Sequence, residues 1–324
     1  MTHFYLVIDL GTLPGGNSSS AAAINDLGQV VGSSDVGGGT EHAFLWTAGA
    51  LQDLETLPGG SNSGASGIST CGQVAGQSNF TGSGTNTHAF VWSSGSMQDL
   101  GTLPGDNGSA AVAINACGQV VGNSSLSAGG KLHAFMWSKA PGMISLGVLP
   151  GFTDSGAHDI NNLGQVVGYC SVAGSGNRGF LWSIAAGMQT VGTLPGGISS
   201  DAVGINDLSE VVGSSDSGNV NTPNAALWNG AGGALDLGVL AGGTWSNAFG
   251  INVFGTVVGN GNWTGAGSHA FVWSKEHGMQ DLNALIPANP GWELQGAVAI
   301  NLAGQIVGVG TVNRLQHAFL LTPK

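Results

Sequence analysis

Few side chains in this sequence can do chemistry: 6 Lys and Arg, 18 Asp and Glu and 8 His among 324 residues. Most of them recur at a fixed spacing, whereas a single active site needs residues that occur once. The acids and imidazoles that stand alone are Asp154, His158, Asp159, Asp201 and His277, with Tyr169 close in sequence. A His–Asp pair beside a tyrosine supplies proton donors and acceptors, which would suit a lyase or hydrolase acting on a polysaccharide. His158 and Asp159 are adjacent in an extended segment, however, where successive side chains point to opposite faces. The expectation is therefore that both do not line one wall. No G-x-S-x-G elbow, P-loop or dinucleotide fingerprint accompanies them.

Aromatic residues offer a second kind of chemistry. Six of the nine Trp recur in one phase (Trp46, Trp92, Trp137, Trp182, Trp228 and Trp273), which is what packing residues of a repeat do. Trp245, Trp263 and Trp292 break that phase, as do Phe80 and Phe152. Together with Asn247, Asn262 and Glu293, the three off-phase Trp form a candidate stacking platform for sugar rings or a peptide. The competing reading has them tucked beneath their own loops.

The elements that must carry these residues follow from the repeat itself. Seven segments resemble A-x-A-I-N-x-x-G-Q-V-V-G, starting at Ala21, Ala65, Ala111, Ala157, Ala202, Ala248 and Ala297. Each is followed by a version of H-A-F-x-W, starting at His42, His88, His133, Arg178, Asn224, His269 and His317, and then by a segment near D-L-G-T-L-P-G-G. Every unit offers four short strands rich in Val, Ile, Leu, Phe and Trp and bounded by Gly, Asn, Asp or Ser. In the first unit these are strand a over 21–25, b over 29–33, c over 42–47 and d over 51–54. Four strands per repeat of about 45 residues, seven times over, predicts an all-β, closed seven-bladed β-propeller forming a single domain over 1–324. The last unit stops after its strand c, and the missing strand sits at the other end, over 4–10. Pairing of that N-terminal strand in the last blade closes the ring and removes exposed sheet edges.

This order puts the d-to-a crossings and the long, variable b-to-c loops on one face, and the short a-to-b and c-to-d turns on the other. Trp245 and Trp292 are expected in crossings and Trp263 in a b-to-c loop, all on the variable face, where binding residues concentrate. The recurring His, the recurring Asp (Asp9, Asp53, Asp99, Asp236 and Asp281) and the recurring Asn (Asn25, Asn115, Asn161, Asn206, Asn252 and Asn301) read as hydrogen-bonding parts of each blade. Cys71 and Cys117 share a phase with Leu and Phe and read as small apolar fillers, and three Cys are too few for a disulfide scaffold. Without a CxxC pair or HExxH, neither a metal site nor a cofactor is expected.

Composition narrows the partners. A net charge of -12 with no basic cluster argues against nucleic acid and anionic membrane surfaces. No run of about 20 apolar residues predicts a membrane span. With 59 Gly but no third-residue period, and only 24 charged residues, collagen and disorder are both excluded.

The composite of A-I-N-x-x-G-Q-V-V-G, H-A-F and D-L-G-T-L-P-G-G, running through the whole chain, resembles the bacterial HAF-repeat family of extracellular repeat proteins. The resemblance implies bacterial origin and export and assigns no activity. The N-terminal residues MTHFYLVIDLG have no signal-peptide pattern, so an extracellular or cell-surface location is expected through a processed form, with the cytoplasm as the alternative. The expected protein is a monomeric, non-catalytic binder of a carbohydrate or cell-surface glycopolymer. A polysaccharide lyase or hydrolase and a purely structural repeat protein are the alternatives.

Overall fold

A computed structural model describes residues 5–82, 86–125, 130–218, 222–230, 233–265, 267–287 and 291–324. Phe4 of the expected closing strand and parts of four b-to-c loops lie outside the described residues. Seven four-stranded antiparallel sheets form a seven-bladed β-propeller around a central channel; six run in sequential strand order, and the seventh takes its outer strand from the N-terminus. Blade 1 consists of Ser19–Ile24, Val30–Asp35, Glu41–Thr47 and Ala50–Asp53. Strands a and b of this blade thus each extend toward the variable face by two residues beyond the periodic core of the motif. Blade 4 consists of Asp154–Ile160, Val166–Ser171, Arg178–Ser183 and Gly187–Thr190.

The ring closes as the sequence predicts. Tyr5–Asp9 pairs antiparallel with the last strand, from Tyr5 opposite Pro323 to Asp9 opposite Phe319, and completes the blade of Trp292–Ile300, Ile306–Val312 and Leu315–Pro323. The junction repeats the bonding of the others: Ala318 N donates to Ser19 Oγ at 3.0 Å, as Ala43 N donates to Ser63 Oγ at 2.9 Å between blades 1 and 2.

The motif letters are explained by packing between blades. The Phe of H-A-F is fully buried as Phe44, Phe90, Phe135, Phe180, Phe271 and Phe319. It fits because strand b carries Gly beside it: a Cβ on Gly122 would come within 2.8 Å of Phe135, and one on Gly259 within 2.8 Å of Phe271. Each apolar cluster spans two neighbouring blades; one joins Val31, Ala43 and Leu45 of blade 1 to Val74, Phe90 and Trp92 of blade 2. The cluster of Val307, Ala318 and Leu320 with Leu13, Val30 and Phe44 does the same across the closure.

Every strand a carries a bulge at the same place in the motif, and strand a of blade 7 carries a second one between Leu294 and Gly296. In blade 4 the register passes from Ala157 opposite Gly168 to Asp159 opposite Val167, which leaves His158 unpaired. A bulge breaks the two-residue alternation, so His158 and Asp159 both line the channel. This corrects the expectation that they could not share a wall.

The cysteines also depart from expectation. Cys71 and Cys117 are exposed at the tips of a-to-b turns, where Leu27, Leu163, Leu208 and Phe254 are exposed as well. Shared phase with apolar residues does not imply burial at a turn tip. Cys170 is buried in strand b of blade 4 and accepts the Leu149 N–H at 3.4 Å, the role Ser34 plays for Leu13 at 2.9 Å.

Candidate functional site

The channel has two unlike ends. On the a-to-b turn face, the repeated Asn is buried in each of six blades. In five of these its Oδ1 accepts two backbone N–H groups of its own turn, as when Asn161 binds Leu163 N at 3.1 Å and Gln165 N at 3.0 Å, while Asn301 accepts Gln305 N at 2.9 Å. Its Nδ2 then donates across to the next blade: Asn161 to Asn206 O, Asn206 to Asn252 O, Asn252 to Asn301 O and Asn301 to Asn25 O, at 3.0–3.3 Å. The hairpin role was legible in the sequence; the donation between blades was not. Ser69 replaces Asn in blade 2, and its shorter side chain supports only its own turn, accepting Gln73 N at 3.1 Å.

The recurring His and Asp are equally structural. Nδ1 of His42, His88, His269 and His317 meets the carboxylate of Asp53, Asp99, Asp281 and Asp9 at 2.7–2.9 Å, within one blade each time. Asn224 Nδ2 donates to Asp236 at 2.9 Å in the same manner. Where Ser145 takes the place of Asp, His133 meets Asp106 of the preceding crossing at 3.1 Å instead.

The off-phase aromatics and their polar neighbours are distributed over blades 6 and 7. Trp263 follows strand b of blade 6 and stacks on His269, with centroids 4.2 Å apart and planes at 19°. Phe80 meets His88 in the same position of blade 2, again at 4.2 Å, so the contact of this aromatic with the blade's own His occurs in two blades. Asn262 caps the crossing by accepting Thr244 N at 2.7 Å and Trp245 N at 2.9 Å, just as Asn79 serves Ser61 and Asn62. Trp292 begins strand a of blade 7 rather than lying in a loop, and meets Phe319 edge-on at 6.2 Å. Asn247 pairs opposite Asn260 in blade 6, and exposed Glu293 reaches to 3.9 Å from His269 Nε2. All three Trp are half-buried, and among the described residues no ring contact links them.

The channel wall itself is where the pattern breaks. A cavity of about 420 Å³ is bounded by the bulges of strand a. The first bulge position holds Ala22, Ser66, Val112, His158, Val203, Phe249 and Val298; the second holds Ala23, Gly67, Ala113, Asp159, Gly204, Gly250 and Ala299. His158, Asp159 and Phe249 depart from this run of small and aliphatic residues. Asp159 Oδ1 accepts Ile160 N at 2.8 Å, and its Oδ2 accepts Ile205 N of blade 5 at 3.0 Å. Burial pushes its carboxyl up to about 7 against the pull of those two N–H groups, with Asp207 adding to the rise.

Above this pair, His158 Nε2 lies 4.0 Å from Asp201 Oδ1 of blade 5, and its ring meets Tyr169 edge-on at 5.4 Å. Tyr169 sits opposite Gly156, whose missing Cβ leaves the room its ring fills. Asp201 takes a strand position held elsewhere by Ser20, Gly64, Ala110, Gly156, Asn247 and Gly296. Burial raises its carboxyl above the ordinary range although His158 pulls it down, and burial likewise raises the Tyr169 phenol. The structure thus gathers His158, Tyr169 and Asp201, with Asp159 beside His158 on the channel wall. Asp154 turns away to accept Leu132 N at 3.0 Å, and His277 is exposed in a c-to-d turn. Phe249 was missed in the sequence, although its departure from a run of small residues was visible there.

No family model matches the chain, and no curated protein matches it either. Solved structures match through the fold. One is a Mycobacterium tuberculosis puromycin-hydrolyzing peptidase, 14% identical with a TM-score of 0.60 over 97% of this chain and 55% of that one. The chain therefore spans about half of the peptidase. Virginiamycin B lyase from Staphylococcus aureus is 10% identical with a TM-score of 0.55 over 99% of both chains. The WD40 β-propeller domain of Doa1 is 16% identical with a TM-score of 0.52 over 97% of this chain and 96% of that one. These likenesses establish the propeller scaffold, which hosts varied functions.

Proposed function

We propose that this chain is a non-catalytic, monomeric binding propeller of the bacterial cell surface, and that it recognises a carbohydrate or glycopolymer. One observation carries the reading. Chemistry-bearing side chains depart from the sevenfold pattern along the channel wall of blades 4–6, whereas the turn face repeats almost unchanged. A rigid scaffold with a local, polar and aromatic irregularity is how binding sites are built. The resemblance to HAF-repeat proteins supports the surface location. The test is direct: the intact protein is screened against soluble oligosaccharides and isolated bacterial cell-wall polymers. Binding is expected, and failure to bind any of them would overturn the reading.

Convergence of His158, Tyr169 and Asp201, with an acid near neutrality in Asp159, favours one second reading, an acid–base enzyme acting on the same class of polymer. Chromatography of the polymer after incubation separates the two. Unchanged chain length is expected of a binder, and shortened chains would establish the lyase or hydrolase.

A further inference from the structure

A sugar-binding site needs an apolar face for the ring and hydrogen-bonding groups for its hydroxyls, in a cavity deep enough to exclude water. The channel brings these together over three successive blades. Phe249 of blade 6 and His158 of blade 4 hold the same bulge position, with Val203 and Gly204 of blade 5 between them. His158 keeps 28% of its side chain exposed, and Phe249 is half-buried. The cavity of about 420 Å³ lies within the roughly 300–1,000 Å³ of small-ligand sites.

This cavity does not stand alone. A second one, of about 440 Å³, sits at the variable-face end in blades 1 and 2, and Ala22 and Ser66 line both. Its wall carries Ser20, Ser33, Asn62, Gln77 and Thr87, hydroxyls and amides that can both donate and accept. The two spaces make a trough that starts polar at the mouth and ends on an aromatic ring inside. Such a trough suits one end of a chain better than its middle, because the space beyond it is smaller: the cavity ringed by the repeated Asn at the turn face measures only about 230 Å³.

We infer that the channel is an end-on saccharide site: the terminal sugar of a neutral glycan lies against Phe249 and hydrogen-bonds His158, while the following residues occupy the trough of blades 1 and 2. The inference rests on the carbohydrate reading above and adds the place, the direction and the residues. His158 serves a hydroxyl because an imidazole offers a donor or an acceptor according to its tautomer, and a hydroxyl matches either.

The repeat supplies its own substitutions. Val occupies the bulge position in blades 3, 5 and 7, so Phe249→Val and His158→Val install residues that the same strand already tolerates. Both variants and the intact protein are titrated calorimetrically with linear tetra- and octasaccharides of glucose, xylose and N-acetylglucosamine, with thermal melts confirming the fold. Each variant is expected to lose about tenfold or more in affinity, and the two chain lengths to bind the intact protein equally. Should either variant melt well below the intact protein, Phe249→Leu or His158→Gln is titrated in its place. Binding by the intact protein that both variants retain would overturn the channel site and leave the carbohydrate reading standing. Affinity that climbs from tetra- to octasaccharide would overturn end-on binding. No binding by the intact protein would overturn both.

Discussion

The two ends of the channel are built from the same seven strands and have opposite characters. At the turn face, an Asn in six of seven blades closes its own hairpin and bonds the next blade. On the wall above it, strand a changes residue type from blade to blade: blade 4 inserts His158 and Asp159 and blade 6 inserts Phe249 where the others carry small or aliphatic residues. The difference teaches that periodicity marks what holds the ring together. Side chains freed from that duty by the bulge can vary, and there a ligand can be met.

The comparison can be broken at its structural half first. Deleting residues 1–10 removes the outer strand of blade 7 and the Asp9 partner of His317. Melting is expected to fall by roughly 10 °C or more; an unchanged melt would mean that closure does not hold the ring.

The wall should behave in the opposite sense, costing stability rather than supplying it. Asp159 has a folded pKa of about 7, above the roughly 3.9 of an unfolded Asp. The native state therefore holds a proton that the unfolded chain releases. Its contribution is complete below about pH 4 and declines as pH rises through 7. Chemical denaturation at pH 4 and pH 8 should show Asp159→Ala gaining on the intact protein by up to about 4 kcal/mol over that interval, less as channel water screens the carboxylate. A constant difference would place Asp159 among ordinary carboxylates.

At the turn face, Asn161→Ala removes four hydrogen bonds from a buried site and should cost about 2–3 kcal/mol in denaturant unfolding. A loss below about 0.5 kcal/mol would remove the contrast between the two ends. The smallest effect sharpens it: Ser69→Asn completes the ring of side-chain amides and should stabilise by about 1 kcal/mol. A destabilised variant would show that blade 2 is fitted to Ser.

Much of the fold was legible in the sequence because each blade repeats its packing. The Phe of H-A-F, the Gly of strand b and the Pro–Gly crossings recur with the contacts they make, and the closing strand was visible as a missing part. The bulge was not legible. It belongs to the pairing of two strands, and nothing in A-x-A-I-N announces an extra residue, so His158 and Asp159 were assigned to opposite faces. Trp263 illustrates the converse. It seemed out of phase only because Val36, Phe80 and Val172 stand at the same place without being Trp, and its partner His269 becomes visible only when strand c folds back. Asp201 and His158 are 43 residues apart in sequence and meet only because strand a of blade 5 packs beside that of blade 4.

Two histidines report on the two places where a saccharide could sit, His158 in the channel and His269 beneath Trp263. Proton NMR of the imidazoles, assigned by His158→Gln and His269→Asn, follows the addition of linear hexasaccharides of glucose, xylose and N-acetylglucosamine. The His158 resonances are expected to move while those of His269 and the other Asp-paired histidines stay in place. Movement of His269 with His158 unchanged would contradict the account and put the ligand on the loop face.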